Sequence, residues 1–449
     1  MNDCIAAIST PIGVGALAIV RMSGPGSVEI VGRIFRGSSS PLDTTRLSVM
    51  VGRIIDLKTG REIDEVVLTI FRGPESYTGE DMAEICCHGG RYIPTAILEL
   101  CLREGARAAG GGEFTRRAFL NGKLDLVQAE AVVAMIEATT ERAHRLAIDQ
   151  LERALSREIG SLREELVELM ARLEYDIDYS DEEGADKAEV GRRIERARER
   201  IRSLIETWRE GSLSTEGAVV VIAGRPNVGK SSLFNMMARR MRAIVSPHPG
   251  TTRDAIELEV SLSGLRVRLV DTAGLRETED AVERIGVEVS RNYLEGADIV
   301  LFLVDAVDGF QAEDERFLSG MKDKDVIFVV NKIDLKVDPG DRQVLGKDPV
   351  RLSAKTGEGM EELKERIFRV ALGGPERTGP AITTLRQKRG LEEGLSGLDR
   401  MAAGIGEGIS AEYLVEDLRT AVRALGELIG EVTTEEILEA VFSRFCVGK

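Results

Sequence analysis

Hydrophobic and polar positions alternate along this chain in three rhythms, and each predicts a different kind of element. In residues 1–118 the apolar runs are short, as at 16–20, 65–71 and 82–87, and Gly, Pro and Ser bound them. Such runs predict strands, and helical spacing at 27–35 and 92–103 adds two helices, an α+β domain. Across 119–214 the period lengthens. Ile148, Leu151, Leu155, Ile159, Leu162, Leu166, Leu169 and Leu173 follow one another at helical spacing. They form a near-heptad seam of about seven turns that has to pack on another helix. Residues 176–184 read as an acidic turn, and 189–209 resumes a helix. Across 215–374 strands at 219–223, 256–262, 267–270, 298–304, 326–330 and 350–352 alternate with helices. That is the pattern of a mostly parallel sheet with helices on both faces. Helical text returns across 375–449, through Leu385, Leu391, Leu395 and Leu398, then 413–429 and 434–442. Helix before and after the α/β segment predicts one discontinuous helical bundle with that domain inserted in it.

The inserted segment carries the chemistry. The strand 219–222 breaks into Gly224-Arg-Pro-Asn-Val-Gly229-Lys230-Ser231, and Leu233 onward reads as helix. Strand, G-x-x-x-x-G-K-S and helix are the context a phosphate-binding P-loop requires. Its glycines let backbone N–H groups point inward at phosphate oxygens, and the helix start adds its positive end. Asn227, Val228, Gly229, Lys230, Ser231 and Ser232 are therefore candidate nucleotide contacts. Lys230 supplies a point charge, and the Ser231 hydroxyl a ligand for Mg²⁺. In the switch stretch Gly250-Thr-Thr-Arg-Asp254, Thr252 is the natural second hydroxyl for that ion. Asp271-Thr-Ala-Gly274 follows a strand, with Asp271 placed for the metal and Gly274 for the γ-phosphate. Asn331-Lys332-Ile-Asp334 follows another; a carboxylate at Asp334 can accept from the ring N–H and exocyclic amine of guanine, a pair adenine lacks. Ser353, Ala354 and Lys355 come after the next strand and can offer N–H groups to the guanine oxygen. Together these motifs predict GTP binding and hydrolysis. Leu275 occupies the place where Ras-type enzymes put a water-orienting Gln. Arg276, Glu277, Glu279, Asp280 and Glu283 are the nearby groups that could supply that role instead.

Composition narrows the setting. The 449 residues carry a net charge of −16, are 30% charged and 43% hydrophobic. General nucleic-acid affinity through a basic surface is not expected, so any RNA contact is local or lent by a partner. No signal peptide or long apolar run appears, which makes the cytoplasm the expected location. The cysteines at 4, 86, 87, 101 and 446 suit reduced thiols. Cys86-Cys87-His88 is read as a strand end and not a zinc site, because neighbours on a strand point to opposite faces. Arg21, Glu84, Arg117 and Lys123 read as surface charge, and Cys446 as a thiol on a frayed tail.

GRPNVGKSS, PGTTRD, DTAGLRET with VERIG, NKID, LNGKLDL and the terminal Phe445-Cys446-Val-Gly-Lys449 together resemble the MnmE (TrmE) family of tRNA modification GTPases over nearly the whole chain. The resemblance implies an N-terminal folate-binding and dimerisation domain (1–118), a helical domain in two parts (119–214 and 375–449) and an inserted G domain (215–374). It implies a homodimer, and a 5-formyltetrahydrofolate or related tetrahydrofolate held by Arg21, Glu84, Lys123 and Lys449. It implies Mg²⁺, and K⁺ held by Asn227 and the loop that carries Ser246, His248 and Thr251. Ser246 and Thr251 would also line the GTP site. Glu283 would orient the attacking water, Arg276 matches the switch arginine, and Cys446 matches a cysteine needed for modification. An FAD-dependent partner, MnmG (GidA), would join in a heterotetramer. Together they would build the aminomethyl or carboxymethylaminomethyl group at C5 of the wobble uridine of certain tRNAs. The loop Ser246-Pro-His-Pro-Gly250 departs from the family pattern, which has fewer prolines. The rival reading is a GTPase switch in ribosome or RNA assembly without modification chemistry.

Overall fold

The structure, a computed structural model, describes residues 3–11, 13–178, 187–240, 242–243, 257–271, 293–321, 323–335, 348–372 and 379–449. These fall into two compact units. One comprises Met1–Val133, Gln150–Glu164 and Leu425–Lys449; the other Ala134–Asp149 and Glu165–Ala424.

The first unit is built on seven strands: β1 (Ile5–Ile8), β2 (Leu17–Ser23), β3 (Phe35–Gly37), β4 (Ser48–Ile55), β5 (Glu62–Phe71), β6 (Met82–His88) and β7 (Arg107–Ala108). Their order is β3-β4-β5-β6-β2-β1-β7, and every neighbouring pair is antiparallel except β1 with β7. Period-two patterning sets the faces. Val20 and Met22, Ile85 and Cys87, Leu68 and Ile70 are buried in a core with helices α1 (Ser27–Ile34) and α2 (Tyr92–Arg103). Their alternates on β2 and β6, Arg21 and Glu84, stand directly opposite one another. Helices α3 (Glu113–Leu120) and α4 (Leu126–Glu137) follow. Near the other end of the chain, Thr434 caps helix Glu435–Phe442 by accepting from the Ile437 N–H. Leu438, Val441, Phe442 and Phe445 pack on Leu126 and Ala129. The last residues are thus fastened to the N-terminal sheet's own unit.

One expectation fails here. Arg117 is not surface charge: its side chain is 1% exposed. Its guanidinium meets Asp3 at 2.8 Å, Glu80 at 3.1 Å and Glu113 at 3.2 Å. Three carboxylates repay the desolvation of one guanidinium; without it Glu80 loses this cation, while Asp3 and Glu113 keep Arg107. Arg117→Leu is expected to destabilise this unit by about 3 kcal/mol, read as a lower urea midpoint than wild type; an unchanged midpoint would show the hub to be dispensable.

The long seam also differs from expectation. It is broken between α5 (Glu141–Leu151) and α6 (Ala154–Asp178), where Arg153 takes φ 65°. A side chain at positive φ cannot continue a right-handed helix. Leu155, Ile159, Leu162, Leu166, Leu169 and Leu173 are all buried along α6, whereas Ile148 and Leu151 before the break are half-buried. Helix α7 (Lys187–Glu206) packs against the helix Leu385–Glu407, with Arg198 paired to Asp399 at 2.5 Å. Residues 179–186 of the acidic turn lie outside the described residues.

In the second unit α8 (Trp208–Glu216) leads into a sheet of β8 (Ala218–Gly224), β9 (Arg242–Ala243), β10 (Glu257–Leu262), β11 (Leu265–Asp271), β12 (Ile299–Asp305), β13 (Asp325–Asn331) and β14 (Val350–Arg351). The order is β14-β13-β12-β8-β11-β10-β9, parallel from β14 through β11 and antiparallel at β10 and β9. All seven residues of β12 are buried, as a strand covered on both faces must be. On one face Leu213, Leu233, Met237, Leu363 and Ile367 form a core with α8, α9 (Lys230–Arg240) and the helix Met360–Leu372. On the other Val221, Val300, Phe302 and Val304 pack with Leu318 of the helix Ala312–Ser319. β8 has β12 on one side and β11 on the other, so the connections reverse there. In parallel sheets the crevice beyond the carboxyl end at such a switch point is where ligands bind.

Candidate functional site

The P-loop leaves β8 at that switch point. Gly224 has φ 139°, and a Cβ there would lie 2.4 Å from the Leu303 carbonyl oxygen. Asn227 turns the chain at φ 63°, and Gly229 at φ 99° brings it to the first turn of α9. The Lys230 ammonium donates to the carbonyls of Gly224 at 2.9 Å and Arg225 at 2.8 Å, so the charge is held over the loop. Ser231 and Ser232 are exposed on that first turn. Asp271, 5% exposed, ends β11 in register with Ile222 of β8. The hydroxyl of Ser231 and the carboxylate of Asp271 are hard oxygen donors of the kind Mg²⁺ takes.

The segments 331–335 and 353–356 are tied to the P-loop by Asn331, 1% exposed. Its Nδ2 donates to the Val228 carbonyl at 2.8 Å, and its Oδ1 accepts from the Ala354 N–H at 2.9 Å. Gly229 packs so closely on this amide that a Cβ would lie 2.2 Å from Nδ2. The buried Ser353 hydroxyl donates to Asp334 Oδ1 at 2.7 Å and accepts from the N–H groups of Lys355 and Thr356. It therefore aims the Asp334 carboxylate and shapes the exposed Lys355 turn together. Lys332, at φ 68°, donates to the Asn227 carbonyl at 2.8 Å and pairs with Asp305. Thus Asn227, Val228, Gly229, Asn331, Lys332, Asp334, Ser353 and Ala354 converge on one mouth. Ser246, His248, Thr251, Thr252, Gly274, Arg276 and Glu283 lie outside the described residues.

The first unit holds a second cluster. Arg21 Nε donates to Glu84 Oε1 at 2.8 Å, and its Nη1 to the Gly448 carbonyl at 3.4 Å. The guanidinium lies 5.7 Å from the ring centres of both Tyr77 and Phe114. Burial, then the nearby Arg21 charge, push the Lys449 ammonium below its ordinary range, with Glu84 opposing. Arg21, Glu84 and Lys449 are therefore one electrostatic group. Lys123 is placed differently, donating to the Pro74 carbonyl at 2.9 Å.

The tail is not frayed, contrary to the reading of its sequence. Val447 bridges to Gly111, and Phe445 is buried. A Cβ on Gly448, at φ 99°, would lie 2.5 Å from the Ile8 carbonyl oxygen. Only Gly lets the last residues pass that strand. Cys446 is exposed on this anchored backbone, two residues before the Gly448 carbonyl that Arg21 meets. No group of three or more metal-ligating His, Cys, Asp or Glu occurs among the described residues, and His88 is paired with Asp64. None of their helices is long and apolar enough to cross a membrane. Tyr77, Phe114, Asp305 and Asp314 were not legible as site residues. Asp305 alone carries a signal, a carboxylate closing an otherwise apolar strand.

A mostly parallel sheet with a phosphate loop at its switch point and an Asn-Lys-x-Asp segment braced against that loop is the fold and site of a P-loop GTPase. The family described as MnmE helical domain matches residues 126–446, and that described as GTP-binding protein TrmE N-terminus matches residues 4–123. Two proteins named tRNA modification GTPase MnmE, from Moorella thermoacetica and Aquifex aeolicus, are each 43% identical to this chain over the full length of both partners. Among solved structures, Aquifex aeolicus Era bound to GDP.AlF4- is 28% identical, covering 40% of this chain and 66% of its own. Its TM-score of 0.29 is too low to bear on the fold. The chain belongs to the MnmE family of GTPases.

Proposed function

We propose that this GTPase acts in tRNA modification, coupling GTP hydrolysis to the building of an aminomethyl or carboxymethylaminomethyl group at C5 of the wobble uridine. The observation that carries the reading is the anchored tail: Cys446 sits on a backbone fastened to Gly111, next to the Arg21–Glu84 pair and Lys449. A GTPase that is only a switch has no use for such a cluster. We assign residues 1–118 to carbon-carrier binding and dimerisation, 119–214 with 375–449 to the helical domain, and 215–374 to the G domain.

The residues present fit the groups this function calls for. A carboxylate at Glu84, an arginine between two aromatic rings and the Lys449 ammonium suit a reduced folate, a flat ring with N–H donors and a carboxylate tail. A bound tetrahydrofolate would supply a one-carbon unit. Arg21, Glu84 and Lys449 orient it, with Lys123 at the margin. In the G domain the P-loop N–H groups and Lys230 cradle the phosphates, Asp334 reads the base, and Ala354 and Lys355 close over it. Ser231, Thr252 and Asp271 would hold Mg²⁺, which spreads the negative charge of the phosphates. Asn227, with Ser246, His248 and Thr251, would hold K⁺, which adds positive charge where an arginine finger acts in other GTPases. Glu283 orients the water and Arg276 steadies the switch. Two copies of the chain and an FAD-dependent partner of the MnmG type complete the assembly.

Nucleoside analysis of tRNA from cells lacking this protein tests the reading. Modified wobble uridines are expected to disappear, to return with the wild-type chain, and to stay absent with Cys446→Ser, whose GTP turnover is retained. Normal wobble uridines with defective ribosomal subunits would favour the assembly-switch reading.

A further inference from the structure

The phosphate loop is braced by residues that belong to none of its motifs. β12 ends in Asp305, which is 5% exposed, and a turn runs on to Gly309. Asp305 Oδ1 accepts the Val307 N–H at 2.8 Å, and Oδ2 takes the Lys332 ammonium. The same ammonium donates to the Asn227 carbonyl. Asn227 and Lys332 both have positive φ, a conformation that residues other than Gly keep only where the surroundings hold them. Further along the turn the Gly309 carbonyl accepts from Arg225 Nη2 at 2.7 Å. Asp314, 1% exposed, takes Arg225 Nε at 3.1 Å. The turn therefore grips the phosphate loop on both sides of Pro226.

We propose that Asp305 is a positioning residue for the guanine nucleotide, acting through Lys332 to hold the Asn227 carbonyl and so fix the phosphate loop against the base-reading loop. The proposal rests on the GTPase reading above and deepens it. A nucleotide contacts both loops at once, so its affinity depends on their separation being set before it arrives. Val307 keeps the carboxylate pointed at Lys332. Burial pushes the Asp305 carboxyl up, but the Lys332 and Val307 hydrogen bonds outweigh it and hold the group below the usual carboxylate range. The charge that holds Lys332 is thus present at neutral pH. Removing it leaves an ammonium with one partner and two residues at positive φ with a weaker constraint.

Stopped-flow release of a fluorescent GDP analogue from the full chain, with steady-state GTP turnover, tests this. Asp305→Ala is expected to release GDP about tenfold faster and to raise KM for GTP by more than it lowers kcat. Adding Asp305→Ala to Lys332→Ala is expected to change nothing further, because Asp305 acts through that side chain. Asp305→Asn keeps the shape but sets an NH₂ against either the Val307 N–H or the Lys332 ammonium, so it is expected to release GDP at least as fast as Asp305→Ala, which preserves the comparison if the Ala variant does not fold. GDP release at the wild-type rate from both variants would overturn the proposal, as would a full additional loss in the Lys332→Ala background. Wild-type protein that bound no guanine nucleotide would overturn the GTPase reading and this one with it; normal wild-type binding with unaltered variants would overturn this one alone.

Discussion

Asp334→Asn is expected to weaken GTP binding by about a hundredfold and to make xanthosine triphosphate the preferred nucleotide. The direction follows from Ser353. Its hydroxyl accepts from the N–H groups of Lys355 and Thr356, so it must donate to residue 334, as it does to Oδ1 at 2.7 Å. An Asn in that place turns its amide oxygen to Ser353 and its NH₂ outward. The exocyclic amine of guanine then faces that NH₂, an unpaired arrangement that costs more than the hydrogen bond alone. Xanthine presents a carbonyl where guanine presents its amine, and the mismatch becomes a match. Competition binding against both triphosphates checks it. Unchanged GTP affinity would remove Asp334 from base recognition.

Gly229→Ala is expected to be as damaging, by a different route. The new methyl would lie 2.2 Å from Asn331 Nδ2, at a φ of 99° that side chains rarely adopt. Backbone strain of about 1–2 kcal/mol is compounded by displacement of Asn331. That side chain holds the Val228 carbonyl and the Ala354 N–H, so phosphate and base loops part together. Calorimetric titration with GTP should show affinity reduced by at least about a hundredfold. Gly60 is the control: at φ 67° with open space around it, Gly60→Ala carries backbone strain without a clash and should leave nucleotide affinity intact. Equal affinity in Gly229→Ala and wild type would mean that the loops are not braced as described.

The contrast between these residues shows what sequence can carry. The five parallel strands of the G domain were legible to within a few residues because buried parallel strands are continuous apolar runs, as in the all-buried β12, whereas the two-residue β9 has no such run. The phosphate loop and Asn-Lys-x-Asp segment were legible because their chemistry needs fixed residue types at short spacing. Long-range pairings were not. Arg117 finds Asp3 and Glu80 across 114 and 37 positions, which no local pattern encodes, so it looked like surface charge. Asp305 meets Lys332 across 27 positions for the same reason. The break at Arg153 leaves no mark in the sequence pattern, because the leucine spacing runs straight through it. The tail looked frayed because its anchors, Gly111 and the Ile8 carbonyl, lie at the opposite end of the chain.

Titration of the purified chain with GTP, GDP and ATP, followed by phosphate release in K⁺ and in Na⁺ with Mg²⁺ present, bears most directly on the central claim that the loop after β8 holds a guanine nucleotide and hydrolyses it. Saturable binding of GTP and GDP but not ATP, with phosphate released faster in K⁺, is the predicted result. Absence of guanine-nucleotide binding at every Mg²⁺ and K⁺ concentration would contradict it.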